Sequence, residues 1–255
     1  MRKTLIALAT TLITTVASAA PTVLSANDGF NTYANGSIAG ATGGSGWAGA
    51  WQGSAQATVD GGALVLSGVN EKAATRAVQA TSSNVLVSFT VNVAHVLTPN
   101  DFLGFWFDNT LSGQHTNVPN VGLKGNQGGS NSAADDLFVR LSLGGEKYAA
   151  NITAGVEYTI LAYLQKDGGS TTYNRFDLWV NPDANDLSTL SNADATATGS
   201  TSLSSFSYIG FRTANLGAGE TVRVDDLSLR SVPEPGSVAL AGLALLGLAA
   251  ARRRR

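Results

Sequence analysis

Val85-Leu86-Val87-Ser88-Phe89-Thr90-Val91-Asn92-Val93 is the stretch that decides how this chain folds. Val85, Val87, Phe89, Val91 and Val93 fall on one side of an extended backbone and Leu86, Ser88, Thr90 and Asn92 on the other, the period of two of a strand with one buried face. The same reading predicts strands near Ala55–Asp60, Ala63–Val69, Ala73–Gln79, Phe102–Asp108, Asn120–Lys124, Leu137–Leu143, Glu157–Gln165, Asn174–Asn181, Phe206–Thr213 and Glu220–Arg230. Turn clusters separate these runs, and Asp60-Gly61-Gly62, Gly144-Gly145 and Asp167-Gly168-Gly169 are glycine-bearing hairpin candidates. Nothing between the two chain ends sustains a 3.6-residue period. So many strands without crossover helices imply an all-β fold, an antiparallel jelly-roll β-sandwich.

The two ends read differently. Arg2 and Lys3, the apolar run Leu5 to Val16 and the small-x-small site Ala17-Ser18-Ala19 compose a secretory signal peptide over residues 1–19, with cleavage after Ala19. At the other end Pro233-Glu234-Pro235 precedes an apolar stretch, 237–251, and the block Arg252-Arg253-Arg254-Arg255. Fifteen helical residues span about 22 Å against a hydrocarbon core of roughly 30 Å, so this transmembrane helix is short and crosses only with local thinning and snorkelling arginines. The four arginines resist translocation and hold the C-terminus in the cytoplasm. The expected organisation is signal 1–19, sandwich 20–231 and tail 232–255. A two-pass membrane protein is the competing reading.

In its triplet, short helix and arginine cluster, the tail resembles the PEP-CTERM sorting tail of Gram-negative bacteria that make extracellular polysaccharide. The resemblance implies recognition of Pro233, Glu234 and Pro235 by exosortase, a multi-pass membrane protease-transpeptidase that processes its substrates at or near the triplet. The implied partners are exosortase, the Sec and signal-peptidase machinery, the inner membrane transiently, and extracellular polysaccharide. The implied destination is the cell surface or biofilm matrix. An ordinary anchor that is never processed is the alternative.

Between the signals the charge is asymmetric. Residues 20–231 carry 10 basic and 17 acidic groups, a net −7, which disfavours nucleic acid and anionic membranes as partners. The chain has no cysteine, which excludes disulfides, thiolate metal sites and a cysteine nucleophile.

Three segments of the core, Gly43-Gly44-Ser45-Gly46-Trp47-Ala48-Gly49-Ala50-Trp51, Leu178-Trp179-Val180-Asn181-Pro182 and Val224-Asp225-Asp226-Leu227, resemble exported sandwich domains of the concanavalin A-like, laminin G-like type. The likeness implies that the region of Asn27-Asp28-Gly29-Phe30 lies beside the last strand. Catalysis finds little support. The Glu-x-Asp-x-x-Glu pattern of sandwich-fold endoglucanases is absent, and Glu71, Glu146, Glu157 and Glu220 are isolated. Asp135-Asp136 and Asp225-Asp226 are adjacent pairs, which a regular strand points to opposite faces, a poor arrangement for paired acid and base work. His95 and His115 lack zinc spacing and read as loop or strand-end residues.

For glycan binding, the candidate stacking platforms are Trp179, Trp47 and Trp51, with Trp106, between Phe105 and Phe107, harder to place. In the strand Asn174–Val180, Trp179 shares the outward face with Arg175 and Asp177; a purely structural role competes for it, as packing under a glycine-rich loop does for Trp47 and Trp51. No cofactor is required. Asp28, Asp225 and Asp226 are candidate oxygen ligands for a structural calcium if the terminal strands pair, without EF-hand spacing to support them. The competing reading of Asp225-Asp226 is a bulge that breaks the alternation of Val222 and Val224 before Leu227 and Leu229. The expected function is a non-enzymatic exported surface or matrix protein. The alternative is a carbohydrate-binding module for a particular glycan, and a glycosidase is a remote third.

Overall fold

The computed structural model describes residues 23–125 and 136–232. Over these the chain forms β1 (Ser25–Asp28), β2 (Gly36–Ser37), β3 (Gln52–Gly53), β4 (Ala57–Asp60), β5 (Ala63–Ser67), β6 (Asn70–Thr81), β7 (Asn84–Val93) and β8 (Phe102–Asp108). It continues with β9 (Asn120–Lys124), β10 (Leu137–Arg140), β11 (Lys147–Ala150), β12 (Glu157–Gln165), β13 (Arg175–Val180), the helix α1 (Ala184–Thr189), β14 (Ala195–Thr198), β15 (Phe206–Ala214) and β16 (Thr221–Val232). The expected signal peptide with Ala17 and Ala19, the Pro233-Glu234-Pro235 triplet, the transmembrane helix 237–251 and Arg252 to Arg255 lie outside the described residues. Among the described residues no helix is long and apolar enough to cross a membrane.

Two antiparallel sheets face each other. The larger runs β14-β13-β12-β7-β16-β5-β4-β2, with β1 also paired to β16, and the smaller runs β11-β10-β9-β8-β15-β6-β3. Strand β7 lies in the middle of the larger sheet, and its Val85, Val87, Phe89, Val91 and Val93 enter the core. Opposite them stand Leu103, Phe105 and Phe107 of β8, Val121 and Leu123 of β9, and Ile209 and Phe211 of β15. The Phe89 ring lies 5.8 Å from that of Phe105 and 6.0 Å edge-on from that of Phe211. Full burial of each such side chain contributes about 1.5–3 kcal/mol, so the alternation read from β7 is also what holds the sheets together.

The three glycine pairs all sit between strands that pair. Asp60 pairs with Ala63 across Gly61 and Gly62, both at positive φ, which is the mirror-image turn that suits strand twist. Gly144-Gly145 lies between β10 and β11, and Gly168-Gly169 between β12 and β13. Strand β16 pairs first with β5, through Val224 and Leu64, and then with β1, through Leu227 and Asp28. The change of partner falls where its register with β7 shifts between Asp225 and Ser228, with Asp226 at φ 51°. Asp225-Asp226 is therefore a bulge. The short strands β2, β3, β11 and β14 and the helix α1 go beyond the expected elements. The helix has its own local cause: the Asp183 carboxylate accepts from the backbone N–H groups of Asn185 and Asp186, and Asp186 accepts from that of Asp183, a capping box after Pro182.

Candidate functional site

Two of the three candidate tryptophans are shut away. Trp179 does lie on the outer face of the larger sheet, as the alternation of β13 requires, but it is only 1% exposed. It packs with Leu86 and Leu161 under Leu190 and Ala193, and its Nε1 donates to the carbonyl of Ser191 at 2.9 Å. The segment following α1 thus roofs the ring, and no face remains for a sugar. Trp51 is 1% exposed and donates through Nε1 to Asp28 at 2.8 Å. Trp47 is half-buried, its ring 6.0 Å from that of Trp51 and its Nε1 donating to the Asn27 carbonyl at 2.9 Å. Both indoles brace the glycine-rich loop against β1.

The expected calcium ligands are likewise not assembled. Backbone pairing does bring Asp28 opposite Leu227, next to Asp226, but the Asp28 carboxylate turns inward. It accepts from Arg76 Nη1 at 2.7 Å, Tyr33 Oη at 2.5 Å, Trp51 Nε1 and the backbone N–H of Phe30 at 3.0 Å. The Arg76 guanidinium neutralises it and covers Trp47 and Trp51 at 4.7 and 5.3 Å from their ring centroids. Burial, together with donation to Asp28, pushes the Tyr33 hydroxyl up to about 12. Asp28 is a packing hub, while Asp225 and Asp226 stay on the surface bulge. Among the described residues, the cation-ligating side chains that do converge are His95, Asp101 and Glu220, with ligand atoms within 4.8 Å of one another.

A different face gathers buried polar groups. On the outer side of the smaller sheet, register aligns Thr75 of β6, Gly210 of β15, Trp106 of β8, Asn120 of β9 and Arg140 of β10 in one row. Five strands span roughly 19 Å. Gly210 is required here because a Cβ would lie 2.4 Å from Trp106 Cζ2, so the indole lies flat across it. His115, held at φ 51°, stacks on Trp106 with ring centroids 3.7 Å apart and planes 4° from parallel, and its Nδ1 meets Asp108 at 2.9 Å. Because a carboxylate only accepts, that nitrogen carries the proton and leaves Nε2 as the open position. Asn120 donates from Nδ2 to the carbonyls of His115 and Val118, which fixes the amide with Oδ1 over Gly104.

Charge surrounds this row. Arg140 Nη1 donates to Glu146 at 2.7 Å, Lys124 reaches the same oxygen at 3.3 Å, and Arg212 holds both oxygens of Glu71 through Nε and Nη2 at 2.5 and 2.9 Å. Phe102 lies between the guanidinium groups, 4.6 Å from that of Arg212 and 5.3 Å from that of Arg140. Burial, and further down the like charge of Arg212, hold Arg140 below the usual guanidinium range despite Glu146. Burial alone would raise Glu146, but bonds from its own backbone N–H and from Arg140 keep it below the ordinary carboxylate range. Trp106 Nε1, His115 Nε2, Asn120 Oδ1 and Arg140 Nε and Nη2 are all buried without a hydrogen-bond partner. A buried orphan costs about 1–3 kcal/mol unless ordered water or a ligand meets it, so this concentration makes the row a candidate site.

The alternation of Phe102–Asp108 already assigns Phe102, Gly104, Trp106 and Asp108 to one face. The lateral register that adds Asn120 and Arg140 has no signature in the sequence.

Residues 231–255 match the PEP-CTERM protein-sorting motif. The tail is therefore an exosortase-type sorting signal, as its triplet, apolar stretch and arginines suggest. No curated protein matches the chain. Among solved structures, the carbohydrate recognition domain of Emp47p is 12% identical over 82% of this chain and 96% of its own, with a TM-score of 0.52. Peanut lectin, solved with a nine-residue peptide, is 14% identical over 82% and 97%, with a TM-score of 0.52. A mutant of the alginate lyase Aly36B, in complex with an alginate trisaccharide, is 13% identical over 82% and 98%, with a TM-score of 0.53. At such identities the likeness is one of fold, a lectin-like sandwich.

Proposed function

We propose that this lectin-like sandwich with its PEP-CTERM tail is a non-enzymatic exported protein, anchored first in the inner membrane, processed by exosortase and retained at the cell surface through extracellular polysaccharide. The observation that carries this reading is the junction: β16 ends at Val232 and the sorting triplet begins at the next residue. Cleavage at or near Pro233 to Pro235 separates the membrane segment from the sandwich without removing a strand. The expected N-terminal signal supplies export, and two sandwich neighbours, a carbohydrate recognition domain and a lectin, support glycan binding by the fold.

Hydrolysis of glycosides is disfavoured by charge. Glu146, bonded to Arg140 and Lys124, is held below the ordinary carboxylate range, the wrong direction for a general acid, and both oxygens of Glu71 are taken up by Arg212. A second reading, a glycan-cleaving enzyme working through His115 as a base oriented by Asp108, has the 2.9 Å contact between them in its favour. It predicts depolymerisation of an offered polysaccharide, which the first reading excludes.

Intact-mass analysis and fractionation of the protein from a host with and without its exosortase test the sorting step. The expected result is loss of about the last twenty residues only when the enzyme is present, with the protein outside the inner membrane. An intact tail in the inner membrane in both hosts would contradict it.

A further inference from the structure

The polar row on the smaller sheet points to a specific ligand chemistry. Arg212 grips both oxygens of Glu71 with the edge formed by Nε and Nη2. The same edge of Arg140, buried to 1% exposure and lying over the Phe102 and Phe138 rings, has no hydrogen-bond partner among the described residues. That edge matches a carboxylate in a side-on, two-bond geometry. Around it stand Lys124, Arg140 and Arg212 against Glu71, Glu146 and Asp108, a balanced set in which the free guanidinium edge, and not an excess of charge, is what favours an anion. The remaining orphans are Trp106 Nε1, a donor, Asn120 Oδ1, an acceptor, and His115 Nε2, which accepts in the neutral ring and donates in the charged one. Hydroxyl groups can serve both kinds.

We propose, resting on the reading of the sandwich as a glycan-binding domain, that the outer face of the smaller sheet binds a uronate residue of an acidic polysaccharide, its carboxylate on the Nε and Nη2 edge of Arg140 and its hydroxyls on Trp106, Asn120 and His115. The carboxylate does for Arg140 what Glu71 does for Arg212, filling the positions that the Gly49 and Gly43 carbonyls fill on Arg76. Trp106 is a donor at this site and not a stacking platform, because His115 occupies one indole face and Gly210 lies against the ring.

The test is a calorimetric titration of the full chain in mild detergent with oligogalacturonate and with the same oligomer after carboxyl reduction. The uronate is expected to bind saturably and to raise the melting temperature, and the reduced oligomer to bind at least about tenfold more weakly, since a charge-assisted bidentate contact is lost. Arg140→Gln should lose about tenfold or more in affinity, and Trp106→Phe, which keeps the ring but removes the N–H, a smaller factor. If Arg140→Gln folds poorly, Trp106→Phe and the wild-type preference between the two oligomers still decide. Equal binding of both oligomers, unchanged in the variants, would overturn the site while leaving glycan binding intact. Failure to bind either oligomer overturns this inference as well, and if native exopolysaccharide also fails to bind, the glycan-binding reading itself falls.

Discussion

Arg76 and Arg140 are buried to 2% and 1% exposure in the same sandwich, and they are finished differently. Arg76 donates from Nε to the Gly49 carbonyl, from Nη1 to Asp28 and Tyr33, and from Nη2 to the Gly43 carbonyl. Arg140 donates from Nη1 to Glu146 and has nothing at Nε or Nη2. A buried guanidinium with every nitrogen occupied fastens a loop to a sheet. One whose Nε and Nη2 lack a partner carries a cost that a ligand or ordered solvent would remove, which is what the proposed uronate site requires.

That contrast can be broken most forcefully at the structural end. Arg76→Met leaves Asp28 buried and unpaired beneath Tyr33 and Trp51, and chemical denaturation should show a loss of about 3–5 kcal/mol. Trp179→Ala removes a fully buried ring and should cost about the same, 3–5 kcal/mol, with glycan affinity of the folded fraction unchanged. Gly210→Ala drives a methyl group into Trp106 and should cost about 1–3 kcal/mol, with a shift in tryptophan fluorescence. Arg140→Met should lose only about 1–2 kcal/mol, because Glu146 keeps Lys124 at 3.3 Å and two orphaned groups disappear. If Arg140→Met destabilised as much as Arg76→Met, the two arginines would be alike.

The smallest effect concerns the bulge. Desolvation, then the charges of Asp226 and Glu157, raise the Asp225 carboxyl above its ordinary range against the pull of a backbone N–H and Arg223. The folded protein therefore holds that proton to higher pH than the unfolded chain, and stability falls as pH rises through the window between the two values. Asp225→Asn should gain up to about 0.5 kcal/mol at neutral pH, the group being mostly wetted. The gain should vanish in acid below the ordinary carboxylate range, as thermal melts at several pH values would show.

What could be read in the sequence was local. The alternation of Val85 to Val93, the glycine hairpins and the break at Asp225-Asp226 each declare themselves within a few residues, and the sorting tail within about twenty. The pairing of β1 with β16 followed from the sandwich likeness. Groups joined over distance were not legible. Asp28 looked like a cation ligand because its partner Arg76 lies 48 residues away. Trp179 was read on the outward face, where the structure has it, but the alternation of one strand says nothing of the segment around Leu190 that covers it. The row from Thr75 to Arg140 depends on lateral register across five strands, set by core packing and turn lengths.

The most direct test follows the arginine and indole N–H resonances of the ¹⁵N-labelled protein during titration with a uronate oligomer. The Arg140 Nε–H and Trp106 Nε1–H signals should move with the ligand, while those of Arg76 and Trp51 stay in place. Movement of neither pair, or of Arg76 and Trp51 alone, would contradict the account.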